Sequence, residues 1–518
     1  MNKLKVLFMV DYTHKILSAD KDGLGQLAQN ESKVVICYGH FNVIHPGHMR
    51  YLKYAKTLGD YLVVALQDDY QLQGNTESKN YFSQEERAEA LSSLHIIDNV
   101  VMLDNGNLEE FVELVKPRIM VLGSEHEQQA DAIVKNAILK LESNNGKIIY
   151  HAGDTHYANT DLFHINIDEL EQENITLFKK ACRNQKLDVS QLLQRIKKIA
   201  ESKILVIGDT IVDQYVGCDA LGMSSEAPVL VVRELESKEY LGGAAIVASH
   251  VRALGAQCHY ISVIGEDVHA DYVCEKLKAS DVETHFFRDE SRPTTYKIRY
   301  MVESQKLFRV SRLKEHKIST KVEDFIIKKI NELSPGLDGI IISDFVYGVI
   351  TGKVIQSIKK IAGKYNIKIF ADVQCSSQIG SVLKFNEFDL VFPTEKEARI
   401  ALDNNAEGIE WVANKLMDEL STKEVLVKLG SEGFIAYSKQ SDNFILRQHF
   451  PALTINPVDV TGAGDSMMAA MAGCISSGGD LMEASAIGAC MASLAVREIG
   501  NTPINKNQLS QYMKYVSS

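Results

Sequence analysis

Two stretches of the chain hold residues whose types and spacing could do chemistry. In "YGHFNVIHPGHMRYL", His45 and His48 lie three apart around Pro46 and Gly47. In "VDVTGAGDSMMAAMAG", Asp465 follows directly on Gly462, Ala463 and Gly464 and opens an apolar run. A zinc helix of the HExxH kind does not fit the histidine pair, because the spacing differs and proline and glycine stand between the two. Core histidines are a second reading. The third is a phosphate site: the pair follows an apolar strand by one tight turn, where a helix begins and its unpaired N–H groups favour an anion. Pro46 and Gly47 let the backbone approach that anion, and the imidazoles can donate to its oxygens. At the second stretch the glycine turn brings several backbone N–H groups together at a helix start, a nest for charge developing on a transferring phosphoryl group. Asp465 in the first turn can take a proton from an attacking hydroxyl. The plain alternative is a glycine turn with an aspartate capping the helix.

Both stretches need a strand to lead into them. "KVVICYGHFN" and "KILVIGDTIVDQY" each read as an opening strand of an α/β domain, and short apolar strands alternate with helical runs after both. Such alternation predicts parallel sheets covered by helices. The boundaries predicted are 31–165 for a first Rossmann-like domain, 166–200 for a helical connector without proline or glycine, and 201–518 for a second α/β domain. In the second, "EAPVLVVRELESKEYL" and "TTYKIRYMVESQKLFRVSRL" alternate apolar with polar residues as half-exposed antiparallel strands do, predicting a small β-sheet lid. Residues 1–30 carry no readable motif.

At 518 residues the chain exceeds one core. A net charge of −12 argues against a nucleic-acid surface, which needs a basic face, but leaves a small anionic substrate open. The eight cysteines show no CxxC spacing and suit reduced thiols, so a cytoplasmic protein without a disulfide framework or zinc site is expected. No run of 18 apolar residues predicts a membrane span.

Over Val34 to His164 the sequence resembles the HxGH nucleotidyltransferases of the cytidylyltransferase-like group. That resemblance implies His45 and His48 as catalytic residues, with Gly39, Phe41, Lys56, Arg87 of "SQEERAEAL" and Thr160 around the nucleotide, ATP or CTP. A substrate phosphate would displace pyrophosphate at the α-phosphorus, the protein supplying position and charge neutralisation, with Mg²⁺ on the phosphates. Asn42 stands where the family has an aspartate, and of the family's second signature only Thr160, in "YANTDLF", survives.

From Lys203 onward the sequence resembles the ribokinase-like PfkB sugar kinases. The resemblance implies Asp465 as catalytic base, Gly462, Ala463 and Gly464 as the anion hole, and Asp213, Gly242 and Gly243 against the sugar. It implies Lys428, Gly430, Gly433 and Thr461 around ATP, and Glu397 acting on Mg²⁺ through water. Within that family the order of "GDTIVDQYVG", "SSEAPVLVV", "GGAAIVA" and "DVTGAGD" is similar to the bifunctional heptose 7-phosphate kinase/nucleotidyltransferases, here with the two halves swapped. Ile246 replaces a sugar-binding Asn of that pattern, Tyr347 and Gln374 replace lysines, and Thr394 replaces the Asn of N-x-x-E. Arg292, Lys297, Arg299, Arg309 and Arg312 offer cations for an anionic substrate, or form a solvated strand face. The function expected is phosphorylation of a sugar or sugar phosphate, D-glycero-D-manno-heptose 7-phosphate at O1 first among them. Nucleotidyl transfer to a sugar 1-phosphate would follow, giving ADP-heptose for a surface glycan. A sugar kinase with an impaired nucleotide-binding domain and a non-catalytic sensor or scaffold are the alternatives. Small-molecule partners and a homodimer are expected, without nucleic acid or membrane.

Overall fold

The computed structural model describes residues 13–19, 27, 33–42, 44, 46–69, 82–104, 107–123, 126, 132–151, 167–224, 226, 229–302, 305–374, 380–440 and 445–518. The chain divides into two compact units, one formed by Met1–Thr160 with Ala406–Val412 and the other by Asp161–Asn405 with Ala413–Ser518.

In the first unit the apolar runs form β1 (Ile16–Ser18), β2 (Val34–Gly39), β3 (Tyr61–Leu66), β4 (Asn99–Met102), β5 (Ile119–Gly123) and β6 (Lys147–His151). They pair in the order β1-β4-β3-β2-β5-β6, every pair parallel. Period-two geometry sends alternate residues of β2 to opposite faces. Val34, Ile36 and Tyr38 join one buried cluster and Val35 and Cys37 another, so helices cover both faces. The Pro46–Thr57 helix leaves β2 and is tied to β5 by the Tyr51 hydroxyl, which donates to the Val121 carbonyl at 2.5 Å. "SQEERAEAL" is helical over Gln84–Ser92 because Ser83 and Glu86 close a capping box: the Glu86 N–H donates to Ser83 Oγ at 3.3 Å and the Ser83 N–H to Glu86 at 2.9 Å.

The second unit contains β7 (Lys203–Gly208), β8 (Thr210–Met223), β9 (Leu230–Gly243), β10 (Gln257–Ile264), β11 (Glu283–Arg288), β12 (Thr295–Val302) and β13 (Gln305–Arg312). There follow β14 (Gly339–Asp344), β15 (Lys368–Val373), β16 (Leu390–Val391), β17 (Glu424–Lys428), β18 (Phe434–Lys439) and β19 (Ile445–Phe450). Nine of these make one sheet in the order β11-β10-β7-β14-β15-β16-β17-β18-β19, parallel through β17 and antiparallel beyond it. Its strands are apolar on both faces: Ile204 and Val206 of β7 lie in the main core cluster, and Leu205 and Ile207 are buried on the other side.

The remaining four strands form the small sheet β13-β12-β8-β9. It contains the half-exposed strands expected there, with one difference: β8 and β12 run parallel, the other pairs antiparallel. The chain reaches β12 only after passing through β10 and β11 of the large sheet, so it re-enters the small one in the direction of β8 rather than by a hairpin.

Residues 166–200, expected as a connector, form helices at Ile167–Asn184 and Val189–Lys198 that pack into the second unit's core. Ile175, Phe178, Leu192 and Ile196 are buried there, each contributing about 1.5–3 kcal/mol by leaving water. Among the described residues no helix is long and apolar enough to cross a membrane.

Candidate functional site

The C-terminal ends of the parallel strands in the second unit open on a cavity of about 620 Å³. Asp465 reaches it from the first turn of the Ala463–Ser476 helix. Gly462 caps that helix with φ +81°, and a Cβ on it would lie 2.1 Å from Asn501 Oδ1, so only glycine fits the turn. The first turn of such a helix leaves backbone N–H groups without intrahelical acceptors, directed at whatever anion occupies the opening.

Asp465 is buried, and Gln374 Nε2 donates to it at 3.0 Å. Burial pushes its carboxyl up to about 7; the Asp372 carboxylate adds to the rise, while Lys428 and Gln374 oppose it. An aspartate so placed is matched to general-base work near neutral pH. Asp372, at the end of β15, is held by Lys428 Nζ at 2.7 Å. Burial raises its carboxyl to about 6 against the pull of Lys428, with Glu397 adding to the rise. Burial disfavours the charge on Lys428, but Asp372 and Glu397 together keep it above the ordinary lysine value. One carboxylate oxygen of Asp372 is buried without a hydrogen-bond partner. With Glu397 beside it, that orphaned oxygen is a fitting donor for a hard divalent cation.

Charge of the other sign enters from the small sheet. Arg299 Nη1 donates to Asp213 Oδ1 at 2.5 Å, both side chains buried, on the neighbouring strands β12 and β8. Burial works against the Arg299 charge, but Asp213 outweighs it and the guanidinium is held above its ordinary value. Lys297, also buried, lies 5.0 Å from the Phe345 ring and 5.3 Å from the Tyr347 ring. Asp459 anchors the loop ahead of Gly462: Tyr215 donates to it at 2.5 Å, Lys306 at 2.9 Å and the Thr461 hydroxyl at 2.8 Å. Burial opposes its charge, yet those donors win and hold the carboxyl down at about 2.

Asp465, Gly462, Ala463, Gly464, Thr461, Lys428, Gly430, Gly433, Glu397, Asp213, Gly243, Arg299 and Arg309 all line this one cavity. Gly242 stands behind it, where a Cβ would meet Asp213 Oδ2 at 2.3 Å, so its part is to let the chain pass close to that carboxylate. Glu397 also serves locally: it closes a capping box with Thr394, accepting from the Thr394 N–H at 2.8 Å. Ile246 is fully buried in the Ala244–Ala253 helix and packs into the core, so that position does not face a ligand here. Tyr347 is buried too; its carbonyl accepts from Arg292 Nη1 at 3.0 Å, which gives Arg292 a structural role. Asp372, Asp459 and Asn501 escaped the sequence reading. Only the place of Asp372 at a strand's C-terminal end, in "ADVQ", could have drawn attention to it.

In the first unit the described part of the HxGH segment sits where β2 ends. Phe41 adopts a left-handed φ of 46° and is buried, and its ring lies 5.0 Å from that of His48. A Cβ on Gly39 would lie 3.2 Å from the Phe41 ring, a close approach that glycine eases. Asn42 accepts from the Phe82 N–H at 2.8 Å. His45 and Thr160 lie outside the described residues. Two expected phosphate ligands are engaged elsewhere. Lys56 is in the last turn of the helix that begins near His48, roughly 12 Å of helix away. It pairs there with Asp98 at 2.5 Å and donates to the Asp60 carbonyl at 3.0 Å. Arg87 is buried and donates to the carbonyls of His40, Gln67 and Phe82 and to Asp69. Instead of reaching out as a free cation, it clamps together the loops that leave β2 and β3.

Comparison with known proteins accords with both units. Residues 201–507 match the family described as pfkB family carbohydrate kinase, and residues 36–161 the cytidylyltransferase-like family. A bifunctional protein HldE of Campylobacter jejuni subsp. jejuni is 32% identical over 314 residues, 60% of this chain and 64% of that protein. A Nitratiruptor protein of the same name is 28% identical over 319 residues, 61% of this chain and 65% of that protein. The chain thus spans a little under two thirds of the length of these relatives. Among solved structures, phosphofructokinase-2 from Escherichia coli, in complex with substrates and products, has a TM-score of 0.52 at 17% identity over 61% of this chain and 100% of that chain, a likeness of fold. The chain belongs to the pfkB family of carbohydrate kinases, with a cytidylyltransferase-like domain ahead of the kinase domain in the sequence.

Proposed function

We propose that the second unit transfers the γ-phosphate of ATP to a hydroxyl of a phosphorylated sugar, with Asp465 as the base. The observation that carries this is the meeting, in one cavity, of Asp465, the Gly462-capped helix start and the cations Lys297, Arg299 and Arg309. Asp465 takes the hydroxyl proton as the oxygen attacks, and the backbone N–H groups at the helix start receive the charge moving onto the phosphoryl oxygens. The cations favour an anionic sugar over a neutral one. Heptose 7-phosphate, phosphorylated at O1, is the substrate of choice, given the likeness in motif order to the heptose kinases. Mg²⁺, held by Asp372 and through water by Glu397, would neutralise the nucleotide phosphates. Phosphorylation of D-glycero-D-manno-heptose 7-phosphate by the wild-type protein, compared with fructose 6-phosphate and unphosphorylated ribose, tests the assignment. Transfer to ribose alone would refute the phosphosugar reading.

For the first unit we propose nucleotidyl transfer to the sugar 1-phosphate so formed, giving an NDP-sugar such as ADP-heptose, with His48 and His45 at the phosphates. A second reading is favoured by Arg87 and Lys56, both engaged in internal contacts: the unit binds nucleotide without transferring it. Pyrophosphate released from ATP or CTP on addition of a sugar 1-phosphate separates the two.

A homodimer joined through the small sheet is proposed as well. Leu221, Met223, Leu235 and Phe308 on that sheet are each more than half exposed and would be covered by such a join. Sedimentation of the wild type against Leu235→Glu tests it, a monomer in both cases counting against it. The described cysteines are all free, which accords with a reducing compartment such as the cytoplasm.

A further inference from the structure

At the far edge of the large sheet, three side chains with metal-binding atoms converge. His259 lies on β10, and Glu283 and His285 on β11, the edge strand. Glu283 is the register partner of His259, and His285 follows Glu283 by two residues, so the two β11 side chains share a face. His285 Nε2 lies 3.4 Å from His259 Nδ1. Glu283 Oε2 lies 3.3 Å from His259 Nδ1, and Glu283 Oε1 lies 3.6 Å from His285 Nε2.

The carboxylate offers a different oxygen to each ring, and the three side chains can each direct one ligand atom at a common point. A neutral imidazole nitrogen without a proton carries one lone pair, so a cation at that point is met by lone pairs from both rings and from the carboxylate. The dimensions fit: bonds of about 2.0–2.1 Å to nitrogen or oxygen in a tetrahedron put neighbouring donors about 3.3–3.4 Å apart.

We propose that His259, Glu283 and His285 bind a divalent transition-metal ion, Zn²⁺ by geometry and donor set, with a solvent molecule as fourth ligand. Two imidazoles and a carboxylate suit Zn²⁺, Co²⁺ and Ni²⁺ better than Mg²⁺ or Ca²⁺, which prefer oxygen. The donors sit on adjacent strands with paired backbones, so little must move on binding. The Lys329–Glu332 ion pair of the Thr320–Leu333 helix acts on His285 electrostatically, with Glu332 adding a carboxylate to the surroundings. The three donors occupy the N-terminal halves of their strands, whereas the kinase cavity lies at the C-terminal ends of the sheet, and none of the three lines it. The ion therefore acts as a staple between the edge strand and its neighbour and takes no part in phosphoryl transfer.

The test uses the full chain after chelation and desalting, with Co²⁺ as spectroscopic probe and Zn²⁺ as titrant by calorimetry. Wild type, His285→Gln and Glu283→Gln are compared, Glu283 being exposed enough for its variant to fold. Wild type is expected to take one more equivalent of Zn²⁺ than His285→Gln, or to bind that equivalent at least ~100-fold more tightly, the upper end of what loss of a supporting group costs. Co²⁺ should give intense four-coordinate visible bands that weaken in both variants, and Zn²⁺ should raise the Tm of wild type alone. Phosphorylation with MgATP should be the same in all three. Equal stoichiometry, affinity and spectra in wild type and both variants would overturn the proposal.

Discussion

The two units treat their charged residues in opposite ways. In the kinase unit, Lys428 pairs with Asp372 and Arg299 with Asp213, and Lys428, Arg299 and Asp213 remain part of the cavity wall beside Asp465. In the cytidylyltransferase-like unit, Arg87 and Lys56 are spent on main-chain carbonyls and on Asp69 and Asp98. A motif thus carries its geometry when its residues are contiguous, as at Gly462 to Asp465. It carries less when a distant residue must swing in, because a local carboxylate or carbonyl can claim the cation first.

Four measurements bear on that contrast. The largest effect is expected from Asp465→Asn, which should lower kcat for phosphoryl transfer by about 10³-fold, within the range for loss of a positioned base. ATP affinity by calorimetry and any nucleotidyl transfer should be unchanged; parallel loss of both activities would mean the two sites do not work separately. Gly462→Ala comes next, at about 10²-fold in kcat, because the new Cβ meets Asn501 and the anion-holding N–H groups shift.

The pH dependence is third. With the Asp465 carboxyl pushed up to about 7 by burial, the base is protonated and idle below that value and ionised above it. Log kcat/KM should therefore rise with slope one up to about pH 7 and level off beyond, and a profile already flat at pH 5 would contradict the assignment. Smallest is Lys56→Ala: a half-exposed ion pair is worth about 0–1 kcal/mol. Its thermal midpoint should drop by no more than a few degrees, and nucleotide affinity should change less than about twofold. A tenfold loss of affinity would return Lys56 to the site and erase the contrast.

How much was legible followed from the distance over which each feature is decided. The alternation of strands with helices and the Gly462 turn are local, set by residues within a few positions, and they read directly from the sequence. Arg299 was named among five cations, but its pairing with Asp213 needs the parallel join of β8 and β12, which no local pattern encodes. Asp372 was missed because β16 lies between β15 and β17 in the sheet, and only that order brings it to Lys428. Ile246 read as a lost sugar contact, whereas helix packing turns it into the core. The pairing of Lys56 with Asp98 spans 42 residues, and the sequence gives no sign of it.

The central claim is that the cavity around Asp465 is a phosphoryl-transfer site for an anionic sugar. The direct measurement is transfer of labelled γ-phosphate from ATP to D-glycero-D-manno-heptose 7-phosphate and a panel of sugar phosphates, by wild type and by Asp465→Asn. Wild type should transfer phosphate to at least one sugar phosphate, and the variant should lose about 10³-fold with ATP still bound. Equal transfer by both proteins, or no transfer to any member of the panel by a wild type that binds MgATP, would contradict it.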